Sequence, residues 1–511
     1  MQNAHKILRS TLLLTAASFL MQTVGVSFNV WLTNRLGAAG IGLFQLIMTV
    51  YTLAVTLGCG GVRLAATRLA VEGDARKENT RRTILRCIGY ACLTGLAAAA
   101  LLFGSADIAA KYWLADLRAA KPLRILALSL PFVAMSSALN GYFTAVGKVG
   151  RYSAVRILEQ AVKIGIVMTL MGILLPRGEA YGCIAIVLGI LGSEIFSFFC
   201  LFVLYNTEKQ MYRDNLQKFL WKNVLHIAVP DVAGSGARSV LLTIEHLLIP
   251  RGFRKSGASS DAAMAIYGNV HGMVFPLLLY PSAILTSLSG MLIPEIAGRY
   301  AQGMRGQIAY MIRRVMRMTL FFAFGTAGIL FAFADGLSGA VYHTDDCTFF
   351  IRILSPLIPV MYCDMTVDGL LKGLDEQRAC MRYNIFDSAL CVVLVYILLP
   401  RMAIRGYILI LFLSEIINFY LSVRRLTKVA DVEIHPLPDL IIPLCCAFCA
   451  PAPVLFLLRL DGLCSWGRML LTLCIAASVC VYVLLLYGFG ALTREDMQWF
   501  LRTCGIRESG I

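Results

Sequence analysis

The chain has 511 residues, of which 58% are hydrophobic and only 15% charged, and its mean hydropathy is +0.73. That balance excludes an ordinary soluble domain and makes lipid the solvent for most of the chain. The formal charge of +16 does not mark a nucleic-acid binder, because the basic residues do not gather into one patch with interleaved aromatics but fall between apolar runs.

Fourteen apolar runs are predicted, each of roughly 18 to 25 residues and so long enough to cross the ~30 Å hydrocarbon core as a helix. In chain order they lie near 11–33, 41–62, 84–104, 123–146, 154–175, 181–205, 224–249, 262–293, 315–334, 351–374, 384–399, 404–423, 438–458 and 467–490. The first follows Lys6 and Arg9 as a signal peptide would, but its length and the similar runs behind it mark a retained helix. With the N-terminus inside, cytoplasmic ends and loops collect about 30 of the 46 Lys and Arg against about 14 outside, the bias that sets orientation. The densest basic cluster runs from Arg63 to Arg86. An even number of spans returns the C-terminal tail, with Arg494, Arg502 and Arg507, to the same side, so both termini are expected in the cytoplasm. The sixteen cysteines lie mostly within apolar runs. Cys446 and Cys449 lack the second Cys pair or nearby His that a zinc site needs, and no metal or cofactor is expected.

The chain also repeats itself. "ILLPR" occurs at 173–177 and again at 397–401, and "LRILALSLPFVAMSSALNG" at 123–141 aligns with "IRILSPLIPVMYCDMTVDG" at 351–369. Arg124 pairs with Arg352, Pro131 with Pro359, Gly141 with Gly369 and Glu159 with Asp387, all at an offset of 228; "SEI" recurs at 193–195 and 414–416. Each copy contains six spans, an even number, so the halves enter the membrane from the same side and form parallel repeats about an axis along the membrane normal. The expected fold is an all-α polytopic membrane protein of two six-helix lobes, 1–215 and 216–430, with two extra transmembrane helices and a cytoplasmic tail in 431–511. Two such bundles leave a central cleft that rocking exposes to either side, which is the architecture of a transporter.

The stretches "LTNRLGAAGIGLFQLIMTVYTLAVTLGCGG" at 32–61 and "LLIPRGFRKSGASSDAAMAIYGNVHGMVFPLLLYPSAILTSLSGMLIPEIA" at 247–297 resemble the stage V sporulation protein B family. That family belongs to the multidrug, oligosaccharidyl-lipid and polysaccharide exporter superfamily, alongside the lipid II flippases. The resemblance implies a bacterial cytoplasmic-membrane flippase used in sporulation or in building cell-wall or surface polysaccharide. Members often carry a basic residue within the first span, whereas the matching stretch here, "GVSFNVWLTNRLG", has Asn29 and keeps Arg35 near its end.

Ionisable side chains within spans cost at least ~2.5–3.5 kcal/mol each on insertion scales, so they form the functional shortlist. Arg238 and Glu245 stand seven apart in span seven and share a face, with His246 adjacent. A carrier of polyprenyl-pyrophosphate-linked saccharides needs a cation for the diphosphate, and Arg supplies forked donors for phosphate oxygens, so Arg238 is the first substrate-binding candidate. The competing reading is a structural ion pair with a neighbouring acid. Glu245 and Asn29 join Arg238 as substrate-facing candidates, Glu245 nearer the outer interface.

Glu159 and Lys163 stand at i and i+4 with the acid first, the order that favours a helix ion pair, while a cleft-facing Lys163 would meet a phosphate. Asp364 and Asp368 lie on one helix face where the first half has Ser136 and Asn140. Two such acids suit Na⁺ or a shared proton in ion-coupled transport, or a cap near the helix end where Gly369 and Lys372 follow. Glu194 and Glu415, at matching positions, suit a shared packing role, and His271 a hydrogen bond within the bundle. Pro131, Pro359, Pro276 and Pro281 predict kinks.

Three rival functions differ in what they need. An Na⁺- or H⁺-driven exporter of small cations or drugs needs an acidic cleft, against the basic one that suits pyrophosphate lipids. A membrane enzyme needs a nucleotide-sugar or acceptor site, and no Walker loop or dinucleotide turn occurs in the sequence. A scaffold for cell-wall synthesis enzymes would work without its cleft charges.

Overall fold

The computed structural model describes residues 2–75, 80–207, 221–430, 437–460, 468–493 and 495–496. Every regular element among them is helical. Lipid requires this: with no water to take up backbone N–H and C=O groups, an open spanning segment satisfies them along its own helix. Eleven helical segments among the described residues are long and apolar enough to cross a bilayer, or twelve if the bent pair Leu117–Ala127 and Leu130–Ala145 is one span. Outward-facing Leu101 and Leu484, 74% and 69% exposed, present the kind of surface that acyl chains cover. The chain is a multi-pass membrane protein.

Two of these segments, Leu20–Val71 and Gln377–Ala430, run to 52 and 54 residues. Straight helices of that length would reach about 80 Å, more than two hydrocarbon cores. Both are broken part-way. Gly37 (φ 73, ψ 174) interrupts the first and Ala403 (φ 48, ψ −128) the second, which separates the runs predicted at 11–33 and 41–62 and those at 384–399 and 404–423.

Contacts group the chain into two compact units, Leu36–Gly268 and Met1–Arg35 with Asn269–Ile511. Helix α1 (Gln2–Cys59) contributes to both, changing unit beside its break at Gly37. The rest of the unit Leu36–Gly268 comprises α2 (Val62–Ala75), α3 (Thr80–Ile108), α4 (Ala120–Ala127), α5 (Leu130–Ala145), α6 (Val149–Leu174), α7 (Glu179–Thr207), α8 (Trp221–Lys255) and α9 (Ser260–Tyr267). Its core joins Val62, Ala66 and Ile84 to Ala138, Phe143 and Leu201. The predicted kink at Pro131 is a 45° bend between α4 and α5. Arg118 closes one end of this unit, pairing with Asp116 at 2.7 Å and reaching Asp261 at 3.6 Å and Glu179 at 3.8 Å.

The other unit continues with α10 (Phe275–Leu279), α11 (Ala283–Ala301), α12 (Arg305–Ala332), α13 (Ala334–Leu337), α14 (Asp346–Leu354), α15 (Ile358–Gly373), α16 (Gln377–Ala430), α17 (Ile442–Cys449), α18 (Ala452–Leu460) and α19 (Arg468–Gly488). A π-helical stretch, Gly268–Val274, precedes α10, and the chain turns at Pro281 before α11. Helices α17 and α19 share a core with α12. Gly325 makes room for the Tyr482 ring, whose Cε1 would lie 2.6 Å from an added Cβ, and the Tyr482 hydroxyl donates to the Phe321 carbonyl at 2.8 Å. Ion pairs complete the junction: buried Arg314 to Asp496 at 3.2 Å, and half-buried Arg317 to Asp439 at 3.2 Å and to Asp496 at 3.4 Å.

The offset of 228 read from the sequence recurs in the backbone. A π-helical segment, Ala109–Leu114, ends in left-handed Ala115 (φ 54), and another, Ser338–Tyr342, ends in left-handed His343 (φ 55). After α5 the chain closes through Gly147 (φ 70), with Lys148 N donating to Phe143 O at 2.9 Å; after α15 it closes through Asp375 (φ 62), with Glu376 N donating to Leu371 O at 2.9 Å.

Candidate functional site

Charged side chains within the spans fall into separate groups. In the unit Leu36–Gly268, one group is built on α6 and α7. Glu159 is buried and accepts from Nη1 of Arg156 at 2.7 and 2.8 Å. The acid therefore pairs with the arginine three residues before it, not with Lys163 four residues after. Lys163 is half-buried, close to the midpoint of α6, and makes no ion pair among the described residues. Glu194, near the midpoint of α7, lies within electrostatic range of Glu159, Arg156 and Lys163. Glycines on α7 allow this approach: a Cβ on Gly192 would lie 2.8 Å from the Ile166 side chain, and one on Gly189 would lie 3.3 Å from the Lys163 carbonyl. Tyr51 and Ser129, joined by a buried 2.7 Å hydrogen bond, border the group.

Arg238 sits at the centre of α8, exposed, with no ion pair among the described residues. Glu245 is half-buried about 10 Å further along the helix. Next to it, His246 Nδ1 and the Tyr267 hydroxyl share a 2.7 Å hydrogen bond. Arg238 and Glu245 hold the common face that their spacing predicts without pairing to each other.

In the other unit the charges are acidic. Asn418 Nδ2 donates to Asp364 Oδ2 at 3.0 Å, and Asn384 Nδ2 reaches Asp368 Oδ2 at 3.5 Å. The remaining oxygen of each, Oδ1, is buried and makes no hydrogen bond among the described residues, with the Ser422 hydroxyl lying near Asp364. No basic side chain pairs with either among the described residues, so Lys372 does not neutralise them. Beside them, Ser414 donates to Asp387 at 2.6 Å, and Asp387 adds its field to that of Asp368 on Asp364. Among the described residues, no three of His, Cys, Asp and Glu group as a metal centre.

Asn29 belongs to the same unit and donates its amide to the Gly272 carbonyl at 2.8 Å. Gly272 lies in the π-helical stretch, whose wider turn leaves carbonyls off the usual ladder. His271 Nε2 and the Tyr407 hydroxyl share a 2.7 Å hydrogen bond within the bundle.

Arg156 and Glu194 are the members of the first group that the sequence shortlist missed or set aside. Arg156, three residues before Glu159, was visible as a partner at helical spacing. At the offset of 228, Glu159 corresponds to Asp387, but Arg156 and Lys163 correspond to Asn384 and Cys391, and Ser136 and Asn140 to Asp364 and Asp368. The halves thus keep one acid in common and diverge around it. One has cations beside it, the other carboxylates.

Fold and charge placement define an all-helical polytopic membrane protein with ionisable groups at mid-span depth, the pattern of a carrier. Residues 7–299, more than half of the chain, match the Polysaccharide biosynthesis protein family, and the protein belongs to that family. The chain is 25% identical to stage V sporulation protein B of Bacillus subtilis (strain 168) over 512 residues, covering 96% of this chain and 97% of the relative. Lipid II flippase MurJ of the same organism is 21% identical over 468 residues, covering 83% of each chain. A solved structure of lipid II flippase MurJ in an inward closed conformation aligns with a TM-score of 0.65 and 16% identity, covering 97% of this chain and all of that one. The resemblance read from residues 32–61 and 247–297 is borne out.

Proposed function

We propose that the protein is a flippase that moves a lipid-linked oligosaccharide or cell-wall precursor across the bacterial cytoplasmic membrane. Lobes 1–215 and 216–430 work by alternating access, and 431–511 forms an accessory pair of helices with a cytoplasmic tail, fourteen spans in all. Both termini lie in the cytoplasm, where the cargo loads. The observation that carries the reading is a pair of cations that make no ion pair among the described residues, Arg238 and Lys163, each near the middle of its helix. A charge at that depth is retained against an insertion cost, and a diphosphate headgroup gives it a partner. The name of one relative, lipid II flippase, supports the same class of cargo, and that of another, stage V sporulation protein B, supports a role in spore cortex synthesis.

In this reading the protein transports and does not catalyse. Its driving force enters at Asp364 and Asp368, whose buried Oδ1 atoms make no hydrogen bond among the described residues and suit Na⁺ or a proton. The same carboxylates favour a second reading, export of small organic cations, which differs in needing no polyprenyl diphosphate.

The test is transfer of a fluorescent undecaprenyl-pyrophosphate sugar in liposomes. The wild type is expected to deplete the inner-leaflet probe, and Arg238→Ala to lose that activity. No transfer with or without an Na⁺ or proton gradient, combined with efflux of a cationic dye, would replace this reading with the second.

A further inference from the structure

We infer that Arg156 and Lys163 form one phosphate-binding subsite in which Glu159 positions the arginine and limits the affinity. The cargo assignment rests on the flippase reading; the geometry does not. Arg156 spends only one of its terminal nitrogens on Glu159, since both short contacts come from Nη1. Its other N–H groups have no partner among the described residues, and its side chain is 48% exposed while that of Glu159 is 9% exposed. The buried acid thus anchors one edge of a planar fork and leaves the other open.

Lys163 lies seven residues further along α6, two turns away on the same face, and brings a second cation that makes no ion pair among the described residues. Glu159 stands between them on that face, and Glu194 approaches from α7. With two cations and two carboxylates, the group balances its own charge in a place where an isolated charge is costly. A diphosphate entering the open side would meet both cations through charge-assisted hydrogen bonds and would be opposed by both acids. Guanidinium suits this arrangement where ammonium does not, because a planar fork holds a carboxylate on one edge and a phosphate on another.

The signs of the substitutions separate this subsite from a structural ion pair. The probes are farnesyl pyrophosphate and inorganic pyrophosphate, bound to the full-length protein in detergent and followed by calorimetry, with thermal unfolding recorded for each variant. Arg156→Ala and Lys163→Ala are each expected to weaken farnesyl pyrophosphate roughly tenfold or more, the scale of one lost charged hydrogen bond. Glu159→Gln should tighten it several-fold, because one negative charge leaves the site, and Arg156→Lys should restore only part of the loss. A merely structural pair gives the opposite pattern: Glu159→Gln lowers stability as Arg156→Ala does, and neither changes affinity.

Competition by inorganic pyrophosphate but not by phosphatidylglycerol micelles assigns the subsite to a diphosphate. Equal competition by phosphatidylglycerol would overturn that assignment in favour of bulk lipid phosphate. If liposome transfer is lost in Arg238→Ala but unchanged in all the α6 variants, this inference fails while the flippase reading stands. If the wild type transfers no lipid yet binds pyrophosphate through Arg156, the subsite stands without that reading.

Discussion

Arg124 and Arg352 stand 228 residues apart and make the same bond. Each reaches through Nη2 to Oδ2 of an aspartate 17 residues earlier in the chain, Asp107 at 2.5 Å and Asp335 at 2.7 Å. In both places the ion pair spans a π-helical segment that ends in a left-handed residue, so it ties the chain before the break to the helix after it. The matched arginines were visible in the alignment of the halves, and the matched acids give them a reason.

All four side chains are substantially exposed, from 43% for Arg124 to 66% for Asp335. A pair of this kind contributes about 0.2–1 kcal/mol and is screened by salt. Arg124→Ala and Arg352→Ala should each lower the melting temperature in detergent only slightly, and less at high ionic strength. A large, salt-independent loss from either would show that the pair holds more than its own turn.

The breaks after the two "ILLPR" copies are built differently, and this has a measurable cost. The first copy is followed by Gly178 at φ 122, a residue free to adopt positive φ, whereas the second has its break at Ala403, at φ 48. A Cβ in that region costs about 1 kcal/mol. Ala403→Gly should therefore raise the unfolding midpoint and Gly178→Ala lower it, as read by thermal unfolding of the purified protein. Equal and negligible shifts would mean that neither backbone is held at positive φ.

The C-terminal helices depend on charge buried at their junction with α12. Arg314 and Asp496 are 9% and 6% exposed, and removing one partner of such a pair leaves the other without compensation. That typically costs about 3–5 kcal/mol, and here the lower end is expected because Arg317 also reaches Asp496. Arg314→Leu should therefore loosen α17 and α19 and expose the chain around them to limited proteolysis, with Asp496→Asn at least as severe, because it withdraws the acid that both Arg314 and Arg317 reach. Unchanged proteolysis in Arg314→Leu would assign the docking to apolar contacts alone.

The sequence carried the fold further than it carried the site. Hydrophobic length, basic loops and the offset of 228 are one-dimensional signals, and the membrane turns them into helices with little choice of alternative. Packing partners are not one-dimensional. Glu159 has Lys163 at the spacing that favours a pair and Arg156 one position closer on the other side, and only the fold decides between them. The segment before Gly37 groups with residues beyond 268, where Asn29 satisfies a π-helical carbonyl; nothing in "GVSFNVW" announces that contact. Asp364 and Asp368 stood out because the first half has Ser136 and Asn140 there, but their amide partners come from a helix whose register the sequence does not give.

Asp364 and Asp368 stand where ion coupling would act. Each has one oxygen served by a neutral amide and one buried oxygen that makes no hydrogen bond among the described residues. A half-buried carboxylate with one oxygen left this way favours either a proton of its own or a cation held between the two side chains, since they stand four residues apart on one face of α15. Asn at either position keeps the shape and an acceptor while removing the charge. If a cation is the occupant, Na⁺ should raise the melting temperature of the wild type, by an amount equivalent to about 2.7 kcal/mol at a hundredfold excess over its dissociation constant. Asp364→Asn and Asp368→Asn should abolish that increase and, in liposomes, the dependence of lipid transfer on an Na⁺ gradient. If a proton is the occupant, the same variants lose the dependence on a pH gradient, and Na⁺ stabilises neither wild type nor variant. Full ion dependence retained in both variants would remove the coupling role from α15 and leave the two carboxylates as packing partners of Asn418 and Asn384.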